Sequence, residues 1–277
     1  MVHNEFDNEI IYKLFRTVTE ILHPTISKKN ISNYKIIIDE EILPVRIFYP
    51  KKVSNLDKAI IYIHGNGIVT DCVEKYSDIC KKIASKTDRL VIAIEYNEDK
   101  HKYKEMYNDI YNTVKYLYRE LNRNTIESEN ICLMGDSTGA NIISGINYLN
   151  DNEINIVKEV LFYPVVTNNH SNYESIKTNT DFNINLIDNI NKYFEFIACK
   201  KDLKDDLLYP INQSTSNIPS TLILVGKVDS LKDEIKEFSD KNKEYKYVEI
   251  PFSSHGFLKD MDKELETEVF TEIKKFI

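Results

Sequence analysis

The stretch from Asn130 to Ser144 constrains this chain most. A short apolar run, Ile131-Cys132-Leu133-Met134, stops at Gly135, and small and apolar residues then recur at helical spacing. The reading is strand, sharp turn, helix. At the turn, Gly135-Asp136-Ser137-Thr138-Gly139 fits the Gly-x-Ser-x-Gly pattern, in which a tight bend lifts a serine hydroxyl clear of the backbone. Glycine on either side suits a bend where strand and helix come so close that a Cβ would clash. Ser137 is therefore a candidate nucleophile, and a helix beginning there turns its positive dipole end toward any oxyanion formed beside it.

Glycine is scarce, at 7 of 277 residues, so its positions carry information. Gly65, Gly67, Gly135, Gly139, Gly226 and Gly256 all lie in segments assigned below to one site, and only Gly145 does not.

Around the turn, strands and helices alternate. Residues 5–22 predict an amphipathic helix, with Ile10, Leu14, Val18 and Leu22 in step before Pro24. Tyr34 to Ile38 and Val45 to Tyr49 predict an antiparallel hairpin. Ala59-Ile60-Ile61-Tyr62-Ile63 and Leu90-Val91-Ile92-Ala93-Ile94 are continuous apolar runs, as expected of strands buried on both faces. Helices are predicted from about Asp71 to Ser85 and from Tyr103 to Leu121, and a strand at Val160 to Tyr163. From Val166 to about Asn217 the alternation gives way to a polar, Asn-rich stretch with one helix, Asn185 to Ile197, which reads as an inserted lid. It resumes with the strand Thr221 to Val225, a helix from about Ser230 to Asn242, the strand Tyr245 to Ile250 and a terminal helix from Lys259 to Ile277. Such alternation predicts an α/β fold with a mostly parallel sheet, helices on both faces, and one domain over residues 1–277.

Composition narrows the partners. Apolar residues at 42% and charged residues at 29% suit a globular protein, and a net charge of −8 with scattered basic residues disfavours nucleic acid. No apolar run approaches a membrane span and the N-terminus does not read as a leader, so the expected location is cytoplasmic, without a membrane partner. Cys72, Cys80, Cys132 and Cys199 form no metal-ligand spacing and are expected to be free, buried thiols; no metal or cofactor is expected. The sequence leaves the oligomeric state open.

In an open parallel sheet, ligands bind beyond the carboxyl ends of the strands, and three further segments put reactive groups there. His64-Gly65-Asn66-Gly67 can aim backbone N–H groups above the serine; those of Gly65, Asn66 and Thr138 are the candidate oxyanion hole. A serine also needs a base, and the base needs an acid to fix its tautomer. His255, after the last strand, is the candidate base. Asp229, after the preceding strand, is the candidate acid, with Asp233 and Glu234 as competitors one turn on. Of the other histidines, His64 belongs to the oxyanion turn and His170 opens the lid.

The order Ser137, Asp229, His255 and the four motifs His64-Gly65-Asn66-Gly67, Gly135-Asp136-Ser137-Thr138-Gly139, Asp229-Ser230-Leu231-Lys232-Asp233 and His255-Gly256-Phe257 resemble the hormone-sensitive-lipase-like branch of the α/β-hydrolases. The chain departs from that branch at Asn66, where a glycine is usual, and at Glu95 to His101, where a D-Y-R-L-A-P-E segment is usual. The resemblance implies an eight-stranded α/β-hydrolase sheet capped by elements from about 1–30 and 166–217. It also implies cofactor-free hydrolysis of a small-molecule carboxylic ester. The polar lid predicts short acyl groups. Amide or formamide cleavage by the same triad is one alternative. Ligand binding on a hydrolase scaffold without catalysis is the other, and the presence of all three candidate residues weighs against it.

Overall fold

The computed structural model describes residues 34–36, 42–51, 57–65, 73–124, 126–178, 185–214 and 218–277. The helix expected at 5–22, and with it the N-terminal cap element, lies outside them. Eight strands form one sheet: β1 (Tyr34–Ile36), β2 (Val45–Phe48), β3 (Ala59–Ile63), β4 (Leu90–Ile94), β5 (Ile131–Asp136), β6 (Lys158–Phe162), β7 (Ser220–Gly226) and β8 (Tyr245–Ile250). Their order is β1-β2-β4-β3-β5-β6-β7-β8. The hairpin pairs antiparallel, with Tyr34 opposite Ile47, and β2 runs antiparallel to β4. All remaining pairs are parallel. The three central strands β3, β4 and β5 are buried along their whole length, as their uninterrupted apolar runs require.

Chain direction sorts the helices. The crossover from β3 to β4 carries α1 (Val73–Thr87) one way along the sheet. Those from β4 to β5, β5 to β6 and β7 to β8 carry α2 (Tyr103–Arg123), α3 (Thr138–Leu149) and α6 (Lys232–Asp240) the other way. Right-handed crossovers therefore place α1 on one face and the other three on the opposite face. The terminal helix α7 (Lys263–Phe276) joins α1, with Glu266 of α7 paired to Lys82 and Lys86. This helix begins four residues later than the sequence suggested. Gly256, at φ 80, leads instead into a 3₁₀ turn at Phe257–Lys259, and Asp262 then caps the helix by accepting from the Leu265 N–H.

The lid carries more structure than its composition suggested. Besides α5 (Leu186–Ile197) it contains α4 (Glu174–Thr178) and 3₁₀ turns at Asp206–Leu208 and Pro210–Asn212. Ile190, Tyr193, Phe194 and Ile197 recur at three- and four-residue spacing, and that face of α5 is buried. Asn168, Asn169, Ser171 and Asn172 are exposed.

One buried carboxyl lies outside any site. Glu159 on β6 accepts from Asn147 at 3.0 Å and, more weakly, from Thr221 at 3.4 Å, and its other oxygen has no partner among the described residues. Burial pushes its pKa up to about 8, against the pull of those two hydrogen bonds. Between about pH 4.5 and 8 the folded chain therefore holds a proton that the unfolded chain has lost, so this group makes stability fall as pH rises through that window. Glu159→Gln, neutral throughout, is expected to flatten the decline of Tm between pH 5 and 8. Identical slopes for variant and wild type would refute a buried, protonated Glu159.

Candidate active site

The serine turn is built by close approach. Ser137 sits between β5 and α3 at φ 52 and ψ −119, a backbone conformation that L-residues rarely adopt. It is held there by backbone bonds: its N–H donates to Phe162 O at 2.9 Å, and its carbonyl accepts from Asn141 and Val165. A Cβ on Gly139 would lie 2.3 Å from the carbonyl oxygen of Ile63, so the start of α3 rests directly on the end of β3. The crowding that requires glycine comes chiefly from this neighbouring strand. Asn141, one turn into α3, donates to Val165 O at 2.7 Å and Leu208 O at 2.9 Å, tying the elbow helix to both ends of the lid.

The three candidate triad residues converge. Ser137 Oγ lies 3.0 Å from His255 Nε2, and His255 Nδ1 lies 3.0 Å from Asp229 Oδ2. A carboxylate can only accept, so the imidazole carries its proton on Nδ1 and leaves Nε2 to receive the serine proton. Asp229 is fully buried, and its second oxygen accepts from the Leu231 N–H at 2.8 Å. The loops bearing Asp229 and His255 touch at Gly226, where a Cβ would come within 2.2 Å of Ser253 O. The Tyr163 ring, at a residue with φ 36, packs 4.7 Å from the imidazole, and Phe257 packs edge-on against Tyr163.

The oxyanion turn needs a correction. The N–H of Gly65 donates to Asp136 Oδ1 at 2.9 Å, so it is committed to a carboxylate and is not available as the expected oxyanion donor. Thr138 is buried at the start of α3, beside the serine. Asn66 and Gly67 lie outside the described residues. His64 is stacked between Tyr96 and Tyr76 and takes no part in the triad; its carbonyl accepts from the Tyr96 hydroxyl at 2.6 Å, and burial lowers its pKa.

Asp136 is a buried carboxylate beside the serine to which the sequence reading gave no role. Its carboxylate accepts from the Tyr62 hydroxyl at 2.7 Å, from Gly65 and, at 3.3 Å, from the Tyr76 hydroxyl. Burial first, and then the charge of Asp136, push both phenols well above the usual tyrosine range, so both remain donors. The signal was present in the sequence: Tyr62 is the one hydroxyl in an aliphatic strand, Asp136 ends another apolar strand, and buried polar groups are paired. Of the cysteines, Cys80 and Cys132 are buried and Cys199 partly exposed, all as thiols, while Cys72 lies outside the described residues. No helix among the described residues is long and apolar enough to cross a membrane.

A parallel sheet with a serine raised on a strand-to-helix turn, met by a histidine and an aspartate from the last two strand ends, defines the α/β type of hydrolase. Comparison with known proteins agrees. The family model described as alpha/beta hydrolase fold matches residues 60–259, and the chain belongs to that family, in its hormone-sensitive-lipase-like branch. Among similar proteins, a putative alpha/beta hydrolase of Acanthamoeba polyphaga mimivirus is 21% identical, over 77% of this chain and 64% of its own. Carboxylesterase NlhH of Mycobacterium tuberculosis is 22% identical, over 69% of this chain and 62% of its own. Human arylacetamide deacetylase-like 2 is 29% identical, over 44% and 33%. The chain thus spans less than two thirds of the length of these relatives. In structure, an esterase of Pyrobaculum calidifontis superposes with a TM-score of 0.75 at 20% identity, covering 97% of this chain and 93% of its own, which establishes the fold.

Proposed function

We propose that the protein is a serine carboxylesterase acting on short-acyl esters. The observation that carries this is the continuous chain from Ser137 Oγ through His255 to the buried carboxylate of Asp229, 3.0 Å at each step, on a nucleophile turn. As Ser137 Oγ bonds to the ester carbonyl carbon, its proton passes to His255 Nε2, and Asp229 stabilises the resulting imidazolium. The negative carbonyl oxygen is received at the N-terminal end of α3, where Thr138 begins the helix, with Asn66 as second donor from the turn that Asp136 anchors. Collapse of this adduct breaks the bond to the alcohol, which takes the proton from His255. Water, deprotonated by the same imidazole, then releases the acid and restores the serine. The direct test is labelling with a fluorophosphonate probe, with the modified peptide identified: Ser137 is the expected site.

The substrate reading rests on the lid. Among the described residues its exposed part is asparagine-rich and the face of α5 formed by Ile190, Tyr193, Phe194 and Ile197 is buried, so they offer no broad apolar surface for a long acyl chain. Across p-nitrophenyl esters from acetate to palmitate, kcat/KM is expected to peak at about two to six carbons, each methylene contributing at most roughly 0.8 kcal/mol until the space is full. A maximum at about ten carbons or beyond would defeat this. Because some relatives are named for arylacetamide deacetylation, an anilide of the preferred acyl group belongs in the same series, with the ester expected to react faster.

A further inference from the structure

The residue that follows β6 is bent against its own sequence. Tyr163 has φ 36, a left-handed backbone that a bulky aromatic rarely adopts, and the proline after it favours extended backbone with negative φ. Three backbone bonds tie this bend to the framework of the triad. Phe162 O accepts from the Ser137 N–H at 2.9 Å, the Tyr163 N–H donates to Leu224 O on β7 at 2.7 Å, and the Val165 N–H donates to Ser137 O at 3.3 Å. Such a conformation persists only where its surroundings over-determine it. What the bend delivers is a ring. Tyr163 is fully buried and lies 4.7 Å from the His255 imidazole, ring centre to ring centre, with the two planes at 57°. Phe257, two residues after His255, packs edge-on against Tyr163 at 5.0 Å and against Phe162 at 6.3 Å, so the ring is itself wedged by the loop that carries the histidine.

We propose that Tyr163 is a positioning residue for His255, its ring forming a wall that limits rotation of the imidazole about the axis through its two nitrogens. The inference rests on the triad reading above. Hydrogen bonds to Ser137 and Asp229 fix the two ends of that axis and leave rotation about it open. Contact with a packed, immobile ring closes that freedom. The wall matters most after the first step. Once Ser137 Oγ is bonded to the acyl carbon its hydroxyl no longer holds Nε2, and the same nitrogen must still give its proton to the alcohol and then take one from water. With Asp229 bonded at Nδ1 throughout, the imidazole keeps its aim only while a neighbour limits its swing. Burial, and then the charge of Asp136, hold the Tyr163 phenol well above the usual tyrosine range, so the wall stays uncharged and acts by its shape.

The experiment compares kcat and KM on a p-nitrophenyl ester for the wild type, Tyr163→Phe, Tyr163→Leu, Tyr163→Asn and Val160→Ala, with the folded fraction of each taken from its thermal transition. Tyr163→Phe keeps the ring and should retain most of kcat. Tyr163→Leu keeps an apolar side chain and the strained backbone but loses the flat face, and is expected to lower kcat by roughly 10- to 100-fold with KM nearly unchanged, as a misaimed catalytic group does. Tyr163→Asn also lacks the ring but tolerates left-handed backbone, so it should repeat the loss without the strain. Val160→Ala opens a cavity in the buried part of the same strand and should lower Tm while kcat is kept. In Ser137→Ala protein, which retains the Tyr163 ring, NMR should show the His255 ring held in one orientation against Tyr163, a reading that needs no ring variant to fold. A freely turning imidazole there would overturn the proposal. So would full kcat in Tyr163→Leu, an equal loss in Tyr163→Phe, which would assign the effect to the hydroxyl, or an equal loss in Val160→Ala, which would assign it to core packing. Each of these leaves Ser137-dependent hydrolysis by the wild type, and with it the triad, standing. Wild-type protein without hydrolysis would overturn the triad reading and this one together.

Discussion

Ser137→Ala is expected to lower kcat on an activated ester by about 10⁴- to 10⁶-fold, as removal of a serine nucleophile does where the triad acts as a unit. The fold should survive. Among the described residues the hydroxyl is hydrogen-bonded to His255, whereas the strained turn is held by backbone bonds to Phe162, Asn141 and Val165 that alanine retains. Alanine also meets the φ of 52 with the same Cβ as serine, so the strain is unchanged. The checks are single-turnover and steady-state rates together with the thermal midpoint, which should stay within a few degrees of wild type. A variant that keeps a tenth of the activity would end the proposal. Loss of fluorophosphonate labelling in the same variant separates loss of the nucleophile from loss of substrate binding.

The second large effect is expected at the acid. Asp229→Asn should lower kcat by roughly 10⁴-fold, because an amide NH₂ placed against Nδ1 repels its proton and forces the tautomer that cannot accept from serine. Asp233→Asn should cost less than about tenfold, since that carboxylate receives the Ser175 N–H and Lys232 and makes no contact with the imidazole. The two substitutions are chemically identical and four residues apart on one segment, so their ratio isolates position. Similar losses at both would show that the acid has been wrongly assigned.

The sheet was legible because its central strands are buried on both faces and leave unbroken apolar runs, and Ser137 and Asp229 stood out as candidates because each follows such a run, whereas His255 follows β8, an edge strand of mixed polar and apolar residues. Hydrogen-bond direction was not. The motif placed Gly65 beside the serine, but nothing in residue order says that its N–H points to Asp136 rather than to an oxyanion. Helix starts were legible only as far as caps are: Lys259 lies within an apolar pattern, whereas Asp262 supplies the acceptor that begins the helix. The contact between His170 Nδ1 and Glu234 Oε2, both buried and 2.8 Å apart, escaped because its members are 64 residues apart. One read as a polar lid residue and the other as a rival acid, and only the packing of α4 against α6 brings them together.

The strand order sets a timetable. Ser137 stands at the end of β5 in the middle of the sheet, Asp229 follows β7, and His255 follows β8 at the outer edge. From β5 onward each parallel strand lies beside the one before it, so a chain emerging from the ribosome can assemble the site outward from Ser137 and receive His255 last. With the roles proposed above, Ser137 has no proton acceptor at its side until β8 has docked, and the half-made protein is expected to be silent toward esters. Hydrolysis by such a chain would therefore mark the moment at which its final strand has found its place.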